Sequence, residues 1–198
     1  MPKVEDLEEA LRDVVGFLAS LPGRGVIIGG VAVAFTSRAR VTRDIDATIF
    51  PKSESVQDIL LAASTFQLEP RIADAGDFAK KHRIVLLKHA PTGVEVDISL
   101  GTFPFESEMI RRAEDHVLGD LHVPVARPED LLVMKAIAHR KSDLLDIDTI
   151  LTLRPELDRK EVLFNLAQFA AALDMPEIVD ELKSIFRLRS DSSQQDVR

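Results

Sequence analysis

Cysteine is absent from the 198 residues, which excludes disulfides, thiolate metal sites and cysteine nucleophiles. Tryptophan and tyrosine are absent as well, and ten phenylalanines are the only aromatic side chains. Stacking of nucleic-acid bases on aromatic platforms is correspondingly disfavoured. Basic charge is in deficit: 25 Lys and Arg stand against 33 Asp and Glu, a net charge of −8. A nucleic-acid binder is usually basic, so any such contact here needs a local basic patch. No apolar run approaches the roughly 18 residues that a membrane span requires. The opening stretch Val4-Glu5-Asp6-Leu7-Glu8-Glu9 is acidic, the opposite of a secretion signal. The five histidines show no metal-ligand spacing, which argues against zinc. Ser37, Ser99 and Ser107 lack the His and Asp partners of a hydrolase triad. The expectation is a cytoplasmic protein without membrane association.

The chain is long enough to bury a core unaided. Apolar residues at Val4, Leu7, Leu11, Val14, Val15 and Leu18 have a helical period, stopped by Pro22-Gly23. Val26-Ile27-Ile28 reads as a short buried strand that runs into Gly29-Gly30, and Val31 to Phe35 as the start of a helix. From Asp44 the pattern alternates, with Asp44, Asp46 and Thr48 on one face and Ile45, Ala47 and Ile49 on the other. Pro51 ends that strand, and Ser53 has the cap position of a helix reaching about Thr65. Ile84 to Lys88 and Val94 to Ser99 read as a hairpin around Pro91-Thr92-Gly93, with Glu95, Asp97 and Ser99 on its polar face. Leu121 to Val125 is a last strand. Beyond Pro128 the period is helical over about 128–140, 143–152, 159–173 and 176–187. This predicts an α/β segment over residues 1–126, a helical region over 127–189 and a polar, disordered tail over 190–198.

Two features stand out against this background. A glycine turn between a strand and a helix lets bare backbone approach a phosphate, and the helix N-terminus favours its charge. Asp44 and Asp46 share one face of a strand, and Asp97 lies on the polar face of another. Hard carboxylate oxygens suit magnesium. Two such ions, about 4 Å apart, can activate a nucleophile and steady a leaving group in phosphoryl chemistry. An Asp-x-Asp pair alone is an ordinary solvated face. Asp146-Ile147-Asp148 provides an internal control: it lies in a helical pattern, where positions i and i+2 diverge. The upstream glycines and the third carboxylate set Asp44 and Asp46 apart. The candidate reaction is transfer of a nucleotide from a nucleoside triphosphate.

Gly29-Gly30, Thr42-Arg43-Asp44-Ile45-Asp46 and Val96-Asp97-Ile98 together resemble the signature of the DNA polymerase β-type nucleotidyltransferase superfamily. Within it the chain most resembles the AbiEii-type toxin nucleotidyltransferases of type IV toxin–antitoxin and abortive-infection systems. The finer likeness adds a helical Lys135, then Arg140, Asp143 and Asp146. The resemblance implies a nucleotidyltransferase-like mixed β-sheet flanked by helices, followed by a C-terminal helical bundle. It implies magnesium as cofactor, two ions with manganese as a substitute, held by Asp44, Asp46 and Asp97, the last also helping to deprotonate the acceptor. Gly29, Gly30, Thr42, Arg43, Lys135, Asp143 and Asp146 would form the nucleotide side of the site. The implied partners are an NTP, an RNA acceptor such as a tRNA 3′ end, and a cognate antitoxin. A small cationic acceptor of aminoglycoside type, a protein hydroxyl and a catalytically silent antitoxin-like binding module remain open alternatives. Arg38, Arg40 and Arg43 cluster before the carboxylates, and Lys80-Lys81-His82-Arg83 with Lys88 and His89 is the main basic run. The arginine cluster reads equally as a phosphate contact or as a solvated loop; the basic run could touch an RNA backbone, but a solvated face is its commoner fate.

Overall fold

The computed structural model describes residues 3–36 and 42–195, in two compact units, one ending at Arg127 and one beginning at Pro128. In the first unit, α1 (Val4–Ser20) buries Ala10, Leu11, Val14, Phe17 and Leu18. It ends because Leu21 precedes Pro22 and adopts an extended conformation (ψ 142°). Strand β1 (Gly25–Ile28) is buried at all four residues, as a central strand covered on both faces must be. Then follow α2 (Gly29–Thr36), β2 (Asp44–Ile49), α3 (Val56–Ser64), β3 (Leu68–Pro70) and α4 (Ala75–His82). The unit closes with β4 (Ile84–His89), β5 (Glu95–Leu100), α5 (Pro104–Arg111), β6 (Glu114–Leu118) and β7 (Leu121–Val125).

These strands form one mixed seven-stranded sheet in the order β3-β4-β5-β2-β1-β7-β6. Strand β2 lies antiparallel to β1 and parallel to β5, at the centre of the sheet. The fold is α/β. The expected hairpin is the antiparallel β4–β5 pair. Its His89 is fully buried rather than part of a basic surface. The ring nitrogens sit 2.8 Å from the Thr92 hydroxyl and 2.9 Å from Asp13 Oδ2, which ties α1 to the hairpin turn.

Several local readings need correction. The cap of α3 is Ser55, not Ser53: Ser55 Oγ accepts from Asp58 N, and Asp58 Oδ2 accepts from Ser55 N, a reciprocal capping box. Lys80, Lys81 and His82 form the last turn of α4, where positive charge meets the negative end of the helix dipole. Strands β3 and β6 were not read from the sequence. Both are short edges that form because β4 and β7 offer an unpaired ladder. Gly119, at φ 61° in the two-residue turn joining β6 to β7, was the available hairpin signal.

The second unit contains α6 (Pro128–Ala138), α7 (Lys141–Leu153), α8 (Arg159–Leu173) and α9 (Glu177–Gln195). Its core includes Ile147, Ile150, Val162, Leu166, Ile178 and Leu182. Asp158 caps α8 by accepting from Lys160 N and Glu161 N. Helix α9 continues to Gln195, into the stretch expected to be disordered; no Gly or Pro follows Pro176, and extending a nucleated helix costs little. Residues 196–198 lie outside the described residues. No described helix is long and apolar enough to cross a membrane.

Candidate active site

The site is built on three neighbouring strands. Parallel pairing of β2 with β5 sets Asp44 opposite Glu95 and Asp46 opposite Asp97. Strand neighbours lie about 5 Å apart, so four carboxylates occupy two adjacent rungs on one face of the sheet. Asp44 is exposed and Asp46 half-buried, while Thr48, next along the same face, is completely buried. The acidic face therefore lies at the start of β2 and is closed off beyond Asp46.

The glycine turn meets this face directly. Ile28, the last residue of β1, is the register partner of Asp46. Gly29 has φ 64°, and a Cβ placed there would stand 2.0 Å from Asp46 Oδ2. A Cβ on Gly30 would stand 2.7 Å from Thr42 Oγ1. The turn is bare first of all because the carboxylate strand occupies the space. Gly29→Ala is expected to cost about 1 kcal/mol or more in backbone strain and to push the Asp46 carboxylate from its seat. Nucleotide transfer should then fall by at least about tenfold, a shift of about 1.4 kcal/mol in the barrier. Gly30→Ala should be milder, since the group it meets is a side-chain hydroxyl. Urea melts and transfer rates of the two variants check this order.

Thr42 Oγ1 donates to Asp44 Oδ1 at 3.0 Å. Thr42 therefore braces a carboxylate. Arg43, Asp44, Thr92, Gly93 and Glu95 line a cleft of about 610 Å³, within the range of nucleotide-sized pockets. Arg38 and Arg40 lie outside the described residues. A second cleft, of about 740 Å³, touches Gly25 and Phe50 at the far ends of β1 and β2, and Pro124 on β7, and includes none of the four carboxylates.

Asp97 carries the electrostatic signature of the site. Burial pushes its carboxyl up from the ordinary range; the Arg71 charge pulls it down, and the charges of Asp44 and Glu95 push it up again, with a net upward shift. A carboxylate of raised basicity suits proton removal. Arg71 was missed in the sequence. From just after β3 its guanidinium donates to Glu95 and, at 2.7 Å, to Asp97 Oδ1. No local motif marks it, because its partners lie 24 and 26 residues away.

The donor set fits magnesium in kind: three hard oxygen ligands on two adjacent strands, with glycine beside them. Among the described residues, no three such side chains converge on a common point as they stand. Asp97 is turned to Arg71 and Asp44 to Thr42, so ligation by all three requires side-chain rotation on a backbone already in register.

The second unit holds the remaining predicted residues. Lys135 is buried, its Nζ 2.8 Å from both Asp143 Oδ1 and Asp146 Oδ2. Neither a solvated helix face nor a free, mobile cation describes it. Asp143 also accepts from Arg140 N and Nε, so it caps α7 as well as pairing. Burial pushes the Asp143 carboxyl up, but hydrogen bonds from Arg140 and Lys135 outweigh it and hold it below the ordinary range. Asp146 and Asp148 do diverge: the first is buried against Lys135, and the second is exposed and paired with Arg189.

A family model described as nucleotidyl transferase AbiEii toxin, type IV toxin–antitoxin system, matches residues 18–196. The chain belongs to this AbiEii family. Membership spans both units and makes the chain a nucleotidyltransferase of the toxin class. Two solved structures share the fold. One is an antigenic nucleotidyltransferase-like protein from Paracoccidioides brasiliensis, 21% identical, with a TM-score of 0.51 over 91% of this chain and 95% of that one. The other is the antibiotic-resistance factor ANT(2'')-Ia, 16% identical, with a TM-score of 0.54 over 88% of this chain and 94% of that one. No curated protein sequence matches the chain.

Proposed function

We propose that this AbiEii-family chain is a magnesium-dependent enzyme that transfers an NMP from an NTP to a hydroxyl of RNA, with the tRNA 3′ end as the favoured acceptor and growth inhibition as the outcome. The observation that carries the reading is the register of Asp46 against Asp97, which sets the third carboxylate beside the Asp-x-Asp pair. Asp44, Asp46 and Asp97 would hold magnesium or, in substitution, manganese. Bound there, the metal supplies charge neutralisation for the triphosphate and activation of the acceptor hydroxyl. Asp97, raised in basicity, accepts the hydroxyl proton. The acceptor oxygen bonds to the α-phosphorus, the bond to the bridging oxygen breaks, and pyrophosphate leaves. Gly29-Gly30 and the start of α2 offer backbone N–H groups to the phosphates, and Arg43 offers its charge from the cleft wall.

A second acceptor class is favoured by one observation. Asp6, Asp44 and Glu95 make the cleft wall acidic, which suits a small cationic acceptor. Mixing the protein with each labelled NTP and with RNA, protein and small-molecule pools separates the readings. Label is expected in RNA. The rate at subsaturating tRNA should fall about tenfold between roughly 50 and 200 mM salt, as two released counterions would require. Label confined to the small-molecule pool would replace RNA by the cationic acceptor. Label that persists in RNA with the Asp44→Asn/Asp46→Asn protein would overturn the assigned site. A cognate antitoxin is the remaining partner this reading requires, and its co-expression should restore growth.

A further inference from the structure

Among the cations described near the carboxylate face, Arg71 is the one that engages a candidate metal ligand directly. Its backbone is fixed by donation from Arg71 N to Leu86 O at 2.9 Å, which holds it beside the β4–β5 hairpin. Its guanidinium forks across two residues of one strand face, to Glu95 and to Asp97. The Arg71 and Asp97 side chains are only 23% and 28% exposed, so this pair is stronger than an ordinary surface ion pair. Glu95 is 61% exposed and has no place in the carboxylate triad. A planar guanidinium presents its donors as a rigid fork, so each of two nitrogens can hold one carboxylate in a fixed geometry.

We propose that Arg71 is the resident counter-cation of the third carboxylate: it neutralises Asp97 before metal arrives, and gives up Asp97 while retaining Glu95 when Asp97 turns to ligate. This rests on the reading of Asp97 as a metal ligand. Arg71 is thus a positioning residue with two states, one holding Asp97 and one holding Glu95 alone. Metal binds only the second, so the apparent affinity is the intrinsic affinity reduced by the fraction of protein in that state. Glu95 serves as a parking place that keeps the guanidinium close, ready to restore the first state when metal leaves.

The sign of the effect separates this role from a structural one. If Arg71 merely braced the site, removing it would loosen the carboxylates and weaken metal binding. As a competitor for Asp97, its removal must tighten binding. The test is Mn2+ titration of the full chain without nucleotide, followed by the electron paramagnetic resonance signal of free Mn2+. Arg71→Gln is expected to bind Mn2+ about five- to tenfold more tightly than the unaltered protein, the gain from freeing a state populated at roughly a tenth to a fifth. Arg71→Lys keeps the charge but not the fork and is expected to tighten binding about two- to threefold, which keeps the test available should Arg71→Gln fold poorly. Lys88→Gln is the control for charge alone, because Lys88 is exposed and is the cross-strand partner of Glu95 without an ion pair to Asp97. It should leave the Mn2+ affinity within about twofold.

Unchanged or weaker binding in Arg71→Gln, or equal tightening in Lys88→Gln, would overturn the proposal. Asp46→Asn tells this failure apart from failure of the underlying site. If Mn2+ binding is lost in Asp46→Asn while Arg71→Gln has no effect, the metal site stands and the role of Arg71 falls. If Asp46→Asn binds Mn2+ as the unaltered protein does, the carboxylate site itself falls.

Discussion

Replacing Asp46 with Asn should lower NMP transfer by at least about a thousandfold, because a metal-ligating carboxylate contributes several kcal/mol of transition-state charge stabilisation. The fold should survive. Asp46 lies on a half-exposed rung, flanked on the same face by Asp44 and across the strands by Asp97 and Glu95. Asn nearly matches Asp in size and shape, so the melting temperature should change little. Asp97→Asn should lose activity to a similar degree, with the metal-ligating and proton-accepting roles removed together. Labelled-NTP transfer beside a thermal melt is the measurement. An Asp46→Asn protein that keeps more than about a tenth of the activity sinks the assignment of this strand pair to the chemistry.

The second large effect is expected in the helical unit, on stability. Lys135 Nζ is the shared cation of two buried carboxylates. Lys135→Met leaves both inside with less compensation, and breaking a buried pair from one side costs about 3–5 kcal/mol. Urea unfolding of the full chain at neutral pH should show this loss. The double variant Lys135→Met/Asp146→Leu should recover part of it, because no lone charge then remains at that position.

The pH dependence follows from the downward shift of Asp143. A carboxylate with a depressed folded pKa contributes stability above its unfolded value of about 3.9. That contribution is lost as the pH falls through the lower folded value. The unaltered helical unit should therefore weaken in acid. The gap between it and Lys135→Met should narrow as the uncompensated carboxylates of the variant take up protons. A gap that stays constant from neutral pH into the acid range would show that the ion group does not carry the stability.

The strand that bears the chemistry was legible in the sequence because its signal is local. Alternation from Asp44 to Ile49 assigns faces within six residues, and the same holds from Glu95 to Leu100. The helical spacing of Lys135, Asp143 and Asp146 was legible as a motif. Its burial was not, even though Lys135 stands between Val133-Met134 and Ala136-Ile137: a lysine reads as solvated until two carboxylates are packed against it. A glycine between strand and helix suggests room for a phosphate, whereas the nearest group to the missing side chain of Gly29 is the Asp46 carboxylate. Arg71 carries no signal at all, since what defines it is a pair of contacts that reach over β4 to β5.

Read alone, the chain already specifies the kinds of donor available, the faces on which Asp44, Asp46 and Asp97 lie, and the family to which they point. Those properties depend on residue type and on a two-residue period, and neither needs a partner strand. It takes the packed sheet to bring β5 in parallel to β2 with Asp46 beside Asp97, to press Gly29 against a carboxylate, and to set Arg71 facing the third ligand. A strand's period fixes which face a side chain takes. Which rung it meets is fixed by the buried apolar residues of both strands, since a slip of one residue would turn either Ile45 and Ala47 or Val96 and Ile98 out of the core.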